Sequence, residues 1–113
     1  MRGDRERLLD ILEAIERIGR QAGRGRRTFE ADELVQTWIV HHIEILGEAA
    51  RGVSDELRRR HPEVPWQEMV ATRNILAHGY FGIDAERVWV TVSKDLPLLR
   101  QQIDSILREL SGS

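Results

Sequence analysis

The sequence predicts an all-α fold, an up-and-down bundle of four main helices with a short fifth one. Three observations lead to this prediction. The chain is rich in Leu, Ile, Glu and Arg, which favour helix over sheet. Apolar residues recur at spacings of three and four, and strand signals are weak. With 113 residues, 41% of them hydrophobic, the chain can form one domain, 1–113, with a core of its own.

The first half of the chain contains two long helical patterns. The first runs from about Asp4 to Gln21 and leaves one apolar face, and the glycines that follow are expected to end it. The stretch 23–27, Gly-Arg-Gly-Arg-Arg, then predicts a basic, mobile loop. A second helix is expected to begin near 28–32 and to end at about Arg51. Its apolar face is wide, so this helix should be central.

The second half contains a short helix and two longer helical regions. Ser54 is expected to cap a short helix through about Arg60, and Pro65-Trp66 to open the next helix. Gly79 is a candidate C-terminal stop for that helix, and Asp84 can cap the last helical region. Pro97 should kink this last region or split it into two helices.

Composition and charge exclude several classes of protein and site. The chain contains no cysteine, which excludes disulfide frameworks and thiolate zinc sites. It shows no signal-peptide pattern and no apolar run long enough to span a membrane, so a cytoplasmic protein is expected. The net charge of −2 argues against general coating of nucleic acid. Two local basic clusters, 24–27 and 58–61, are either solvated surface or a rim that contacts phosphates.

One segment, 73–80, combines residues that could cleave RNA. Arg73 and His78 are five residues apart, so a helix would separate them by about 7.5 Å along its axis. Histidine can accept or donate a proton near neutral pH, and arginine can hold a phosphate with a planar fork of donors. This scheme needs no metal, and Asn74 could add a hydrogen bond to the phosphate or orient the histidine. From spacing alone, a helix cap or a surface salt bridge is the more common explanation of such a pair.

Other candidate residues have simpler interpretations. His41 and His42 are adjacent and point to different sides of the second helix, with His42 expected in the core or at a dimer face. Glu44 and Glu48 are expected on the surface or along a cleft, since no second histidine-bearing motif completes a di-iron set. His61 is expected in a loop. The three tryptophans occupy core-compatible positions: Trp38, Trp66 and Trp89.

The segment Arg73-Asn74-Ile75-Leu76-Ala77-His78-Gly79-Tyr80 resembles the signature of the HepT branch of the HEPN superfamily, which is Arg, four residues, His, one residue and Tyr. The similarity covers nearly the whole chain, from the first helix to the last. Its further segments are 43–50, 66–71, 81–84, 88–89 and 95–97.

The resemblance implies a four-to-five-helix HEPN bundle that forms a homodimer, with two copies of the motif facing each other across a cleft. The cleft would cut RNA without a metal or other cofactor and leave a 2′,3′-cyclic phosphate. The family's toxins are paired with an MntA-like nucleotidyltransferase antitoxin, which attaches AMP to the tyrosine of the motif. Carried over, Arg73 and His78 are catalytic, Asn74 is a supporting residue and Tyr80 is the target of AMP attachment.

A second interpretation is a non-catalytic HEPN module with an antitoxin-like role. It would bind a nucleotidyltransferase or a nucleotide, and the Arg73–His78 pair would only hold phosphate.

Overall fold

The protein is described here by a computed structural model, which covers residues 3–71 and 85–112. These two ranges contain helices, turns and bends and no β-strand, so the all-α prediction is confirmed. A π-helical segment, Thr91–Asp95, joins the last two helices. The helices are α1 (Asp4–Ala22), α2 (Arg26–Ala31), α3 (Glu33–Arg51), α4 (Asp55–Arg60), α5 (66–71), α6 (Ala85–Val90) and α7 (Leu96–Gly112).

The two 19-residue helices α1 and α3 form the most extensive helix pair in the described part of the chain. They run antiparallel. At one end the Asp4 carboxylate accepts hydrogen bonds from the backbone N–H of Ser54 (2.8 Å) and from its hydroxyl (2.6 Å). Further along, the Trp38 indole N–H donates to the carbonyl of Arg17 at 3.0 Å. Their facing apolar residues are buried, and each such side chain contributes about 1.5–3 kcal/mol to stability.

Helix α7 packs on α1 and completes the core. The buried residues of its inner face join one hydrophobic cluster with those of the other described helices. Gln102 donates to the carbonyl of Glu63 at 3.1 Å, which ties α7 to the turn between α4 and α5. Arg5, near the start of α1, donates to the Ser111 hydroxyl at 2.8 Å. The first and last described helices therefore meet at one end of the bundle.

The expected mobile loop at 23–27 is only partly correct. Gly25 has a φ of 102°, a conformation that favours glycine, and it precedes α2 directly. Arg26 and Arg27 form the first turn of this helix rather than a loop. The physical reason is tertiary, since Phe29 is fully buried and its carbonyl accepts a 2.9 Å hydrogen bond from the Gln36 side chain.

Side-chain N-caps mark the starts of α3 and α4. Asp32 separates α2 from α3, and its carboxylate accepts from the backbone N–H groups of Leu34 and Val35 at 2.9 and 3.3 Å. The short helix α4 begins as predicted, with the Ser54 hydroxyl accepting from the N–H of Leu57 at 3.2 Å. The predicted helix after Pro65 is also present.

An arginine side chain caps the C-terminal end of α3. Arg58 on α4 donates to the carbonyls of Ala50 and Arg51, both at 2.8 Å, and so satisfies backbone groups that the end of α3 leaves free. Gly52 follows, and a Cβ at this position would lie 2.6 Å from Nε of Arg7. The absence of a side chain at 52 therefore allows the Arg7 guanidinium to lie against the end of α3.

Residues 85–112 are helical throughout, and the predicted irregularity is a π-helical segment that joins α6 to α7 just before Pro97, without a break in the helix at the proline. Proline lacks the N–H that an α-helix would use and its ring crowds the preceding turn, and the π-helical segment occupies that preceding turn. The β-prone residues 88–92 are helical, as predicted. The predicted stop at Gly79 and cap at Asp84 lie outside the described residues.

Over the described ranges, no helix combines the length and the apolar character that crossing a membrane requires.

Removal of the Phe29 side chain tests the packing of α2. Phe29→Ala is expected to lower the free energy of unfolding by about 3–5 kcal/mol, because a fully buried aromatic ring would leave a cavity. The measurement is denaturant unfolding at fixed protein concentration. The matched control is Leu98→Ala, at a side chain that is 58% exposed, where a change within about 0.5 kcal/mol is expected. Equal losses in the two variants would contradict the packing of α2 on the core.

Candidate functional site

The four residues of the predicted site lie in the segment 72–84, outside the described residues. The structure therefore does not test whether Arg73, Asn74, His78 and Tyr80 come together. It does describe the two helices that border the segment. Helix α5 extends to Ala71, two residues before Arg73, and α6 begins at Ala85.

Helix α5 is anchored firmly at its start. The Trp66 side chain is buried, as predicted, and its indole N–H donates to the carbonyl of His61 at 2.9 Å. One turn on, the N–H of Met69 donates to the carbonyl of Pro65 at 3.0 Å, and the Met69 side chain is buried. The helix that leads to Arg73 is therefore fixed by the core.

Helix α6 is held from the other side by α2. The Arg26 guanidinium pairs with Glu30 on its own helix at 2.8 Å and with Glu86 on α6. The hydrogen bond that Arg26 donates to Glu30 and the charges of both carboxylates raise the pKa of Arg26 above its usual value. Below this ion pair, the rings of Phe29 and Trp89 lie 5.3 Å apart with their planes tilted by 35°. The start of α6 is thus attached to α2 through a charged contact and an aromatic one.

The central helix α3 carries the candidate histidines. His42 is buried, in agreement with its predicted position in the core. Its Nδ1 lies 2.8 Å from the carbonyl of Trp38, and a carbonyl can only accept, so Nδ1 carries the proton. The neighbouring His41 is exposed, and its ring meets that of His42 edge-on at 5.2 Å. Trp38 differs from the prediction of a core residue, since 38% of it is exposed although its indole N–H is bonded.

The carboxylates of α3 lie where the sequence predicted. Glu44 is half-buried and Glu48 is exposed. Within the ranges that the structure describes, no group of three or more His, Asp or Glu side chains is arranged to hold a metal ion. Their exposure matches the expected position at the surface or along a cleft.

The two basic clusters differ in how much charge they leave at the surface. In the first cluster, Arg26 is paired with carboxylates, Arg24 donates to the Gln21 side chain at 3.1 Å, and Arg27 is exposed. This cluster lies beside the start of α6. The second cluster lies at the other end of α1, next to Ser54.

In the second cluster, Arg58 has a structural role as the closing residue of α3, whereas Arg59 and Arg60 are exposed. His61 follows α4 as its C-cap and lies outside the helix, in agreement with the predicted loop position. Its side chain is only 12% exposed, and its two nitrogens lie 3.2 Å from Glu63 and 3.8 Å from Glu109.

The described part of the chain also contains cavities outside these clusters. A groove of about 870 Å³ runs between α1 and α7, with an apolar floor and a rim of both charge signs. A smaller cavity of about 250 Å³ lies between α3, α5 and the π-helical segment. Its rim carries the carboxylates of Glu63, Glu68 and Asp95, which would repel an RNA phosphate. The smaller cavity therefore does not have the character of a phosphate-binding site.

Comparison with known proteins identifies the family. The family model described as "Ribonuclease HepT-like" matches residues 11–106. "Probable ribonuclease HepT" of Thermococcus cleftensis is 36% identical over 106 residues, which cover 93% of this chain and 96% of that protein. "Putative RNase TTE0752" of Caldanaerobacter subterraneus subsp. tengcongensis is 34% identical over 110 residues, covering 96% of this chain and 98% of that protein. No solved structure gives a significant match.

The family match spans α1 to α7 and includes the whole segment 72–84, so the resemblance that the Arg73–Tyr80 motif indicated is confirmed for the chain as a whole. The chain belongs to the HepT-like ribonuclease family of HEPN proteins.

Proposed function

We propose that this member of a ribonuclease family is a metal-independent endoribonuclease, with Arg73 and His78 as its catalytic pair. The observation that carries the proposal is the complete motif Arg73-x4-His78-x-Tyr80 in a chain that matches the family over 11–106. Asn74, next to the arginine, is proposed to support the pair by a hydrogen bond to the phosphate or to the imidazole.

The proposed reaction needs two proton transfers. A base removes the proton of the 2′-hydroxyl, whose oxygen forms a bond to phosphorus. The bond from phosphorus to the 5′-oxygen breaks, and an acid protonates the leaving oxygen, so that a 2′,3′-cyclic phosphate and a 5′-hydroxyl remain. His78 supplies the proton-transfer group, and Arg73 stabilises the negative charge that builds on the phosphate. One imidazole is a base or an acid at a given moment, so two copies of His78 would serve the step together.

This requirement supports a homodimer in which two motifs face one cleft. The described part of each chain would supply the rigid borders of that cleft. Helix α5 is anchored by Trp66 two residues before its motif begins, and α6 is held by Arg26 after the motif ends. Since the proposed substrate is cellular RNA, we place the reaction in the cytoplasm.

RNA cleavage in excess chelator tests the catalytic pair. His78→Ala and Arg73→Ala are each expected to reduce the cleavage rate by about 100-fold or more, because each removes a group that acts in the transition state. His61→Ala, which changes a histidine at the opposite end of α5 from the motif, is the matched control and should retain the wild-type rate. A His78→Ala protein that cuts as fast as the wild type would contradict the proposal.

The same experiment separates the enzyme from a binding module. A wild-type chain that cuts no RNA, yet binds a nucleotidyltransferase tightly, would have the antitoxin-like role of a non-catalytic HEPN protein. Growth arrest on expression that depends on both Arg73 and His78 would instead support a toxin.

We further propose that Arg24 and Arg27 contact the phosphates of the bound RNA strand. Both are exposed, and they flank Arg26, whose ion pair with Glu86 holds them beside the start of α6. Glu86 is six residues after Tyr80, and six residues span at most about 22 Å. Arg59 and Arg60 lie on α4, next to the opposite end of α1. Helix α1 has 19 residues and is therefore about 28 Å long.

The salt dependence of RNA binding tests these contacts. In a His78→Ala background, Arg24→Gln with Arg27→Gln is expected to make the slope of log K against log salt less negative by about 1.4, or about 0.7 for each lost contact with single-stranded RNA. Arg59→Gln with Arg60→Gln removes the same charge at the far end and should leave the slope unchanged. A reversed result would place the RNA at the α4 end of the bundle.

We propose that the chain is the toxin of a toxin–antitoxin pair and that an MntA-like nucleotidyltransferase inactivates it by attaching AMP to Tyr80. The tyrosine oxygen would attack the α-phosphate of ATP, lose its proton and displace pyrophosphate. Tyr80 is two residues from His78, so the added phosphate would bring a negative charge and bulk close to the catalytic group. A negative group at this place repels the phosphate of RNA, by the same electrostatics that govern phosphorylation.

Mass spectrometry after incubation with ATP and the nucleotidyltransferase tests the modification. The expected result is one added AMP per chain, located on Tyr80, and loss of RNA cleavage. Tyr80→Phe should acquire no AMP and should remain active in the presence of the nucleotidyltransferase and ATP. AMP attached at another residue, or full inhibition of Tyr80→Phe, would contradict the proposal.

A further inference from the structure

Helix α3 presents an exposed stripe of three apolar and two polar residues: Leu34, Trp38, His41, Ile45 and Glu48. The spacings of four and three residues place the five on one side of the helix. Leu34 is 81% exposed, and Trp38 and Ile45 are each 38% exposed. Three large apolar side chains in one row on the central helix of the bundle are characteristic of a surface that another molecule covers.

The stripe is held in a fixed conformation by the helices beneath it. Trp38 donates from its indole to the carbonyl of Arg17 on α1 and stacks on the buried His42 ring at 4.3 Å. The His42 ring is itself bonded to the carbonyl of Trp38. A large side chain whose rotamer is already fixed loses little conformational entropy on association, which is typical of interface residues.

We propose that two copies of this chain pair antiparallel through the α3 stripe, with His41 of each copy at the two-fold axis, so that the dimer weakens when these histidines are protonated. This inference rests on the proposed homodimer and adds the surface that forms it and its dependence on pH.

The arrangement of residues on α3 indicates a second copy as the occupant. His41 is the midpoint of the stripe, so a two-fold axis through the centre of the stripe brings His41 against the same residue of the partner subunit. In an antiparallel pair about this point, Trp38 meets Ile45 of the partner subunit on each side of the axis, and Leu34 meets Glu48 of the partner subunit at the ends of the stripe.

Charge favours the antiparallel direction. Glu33 and Arg51 are both exposed, lie at opposite ends of α3 and are almost equally distant from His41 along the helix. The antiparallel pair therefore brings Glu33 close to Arg51 of the partner subunit, twice in each dimer. A parallel pair would instead place Glu33 beside its own copy, which is unfavourable.

The position of His41 makes the association sensitive to acid. Histidine is the side chain whose charge normally changes between pH 5 and 8. Two imidazolium groups at one axis repel each other, so the dimer would bind protons at His41 less readily than the monomer does. By linkage, association is then favoured at high pH and weakens as the pH falls and the paired histidines take up protons.

The charged groups around His41 set the size of this effect. On α3 these are Glu44, one turn away, and Glu48, together with the buried imidazole of His42. On α1, whose Arg17 carbonyl accepts from Trp38, Glu13 and Arg17 form an ion pair with each other at 2.6 Å. On α2, which also packs against α3, Arg26 and Glu30 are paired with each other. Glu44 would offset part of the repulsion without removing the contact between the two imidazolium groups.

Sedimentation equilibrium at pH 8.0 and pH 5.5 tests both parts of the inference. For the wild type, the dimer dissociation constant is expected to rise by at least about tenfold at the lower pH. His41→Gln should dimerise at both values without this rise. His61→Gln, at the turn after α4, is the matched control and should keep the wild-type dependence. Ile45→Arg should be monomeric at both pH values, whereas Leu98→Arg, at an exposed leucine on α7, should dimerise.

Each contrary outcome has a separate meaning. A dimer that is unaffected by pH, or whose pH dependence is lost in His78→Gln but kept in His41→Gln, overturns the role of His41. An Ile45→Arg protein that dimerises as well as the wild type overturns the surface and leaves the proposed homodimer intact. A wild-type chain that is monomeric at every pH and still cuts RNA overturns the homodimer and leaves the catalytic pair intact.

Discussion

The antiparallel packing of α1 on α3 is the interaction on which the other described elements depend. It buries the apolar faces of the two longest helices and leaves their ends to be completed by short elements. At one end, α4 supplies Arg58 to the last carbonyls of α3. At the other end, α2 places Phe29 in the core and Asp32 at the start of α3. Helices α5, α6 and α7 then pack against a platform that is already fixed.

Most of the fold could be predicted from the sequence, because its long helices have regular apolar faces and recognisable caps. Ser54 indicated α4, and Pro65-Trp66 indicated α5. The short helix α2 was missed because six residues are too few to show a helical period and because basic residues and glycines precede them. Its stability comes from the burial of Phe29 and the contact of Arg26 with Glu86, which connect residues distant in sequence.

Two other features could not be read from local pattern. Pro97 signalled an irregularity in the last helix, but the sequence did not indicate that a π-helical segment would accommodate it. Trp38 has the spacing of a core residue, and periodicity does not distinguish a face that contacts the core from one that another molecule covers. For the site, chemistry alone made the Arg73–His78 pair plausible, and the similarity over the whole chain made it specific. The pair lies outside the described residues, so the structure adds no geometry for it.

The contact between Arg5 and Ser111 brings the first and last described helices together at the end of the bundle remote from the ion pair of Arg26 and Glu86. A short flexible peptide could therefore join the two ends, and the chain could be reopened elsewhere. The connection of α4 to α5 is a suitable place for new termini only if Gln102 keeps its bond to Glu63. For the same reason, a fluorophore or affinity tag at either end would be far from the border between α2 and α6, and such a fusion would serve to follow RNA binding.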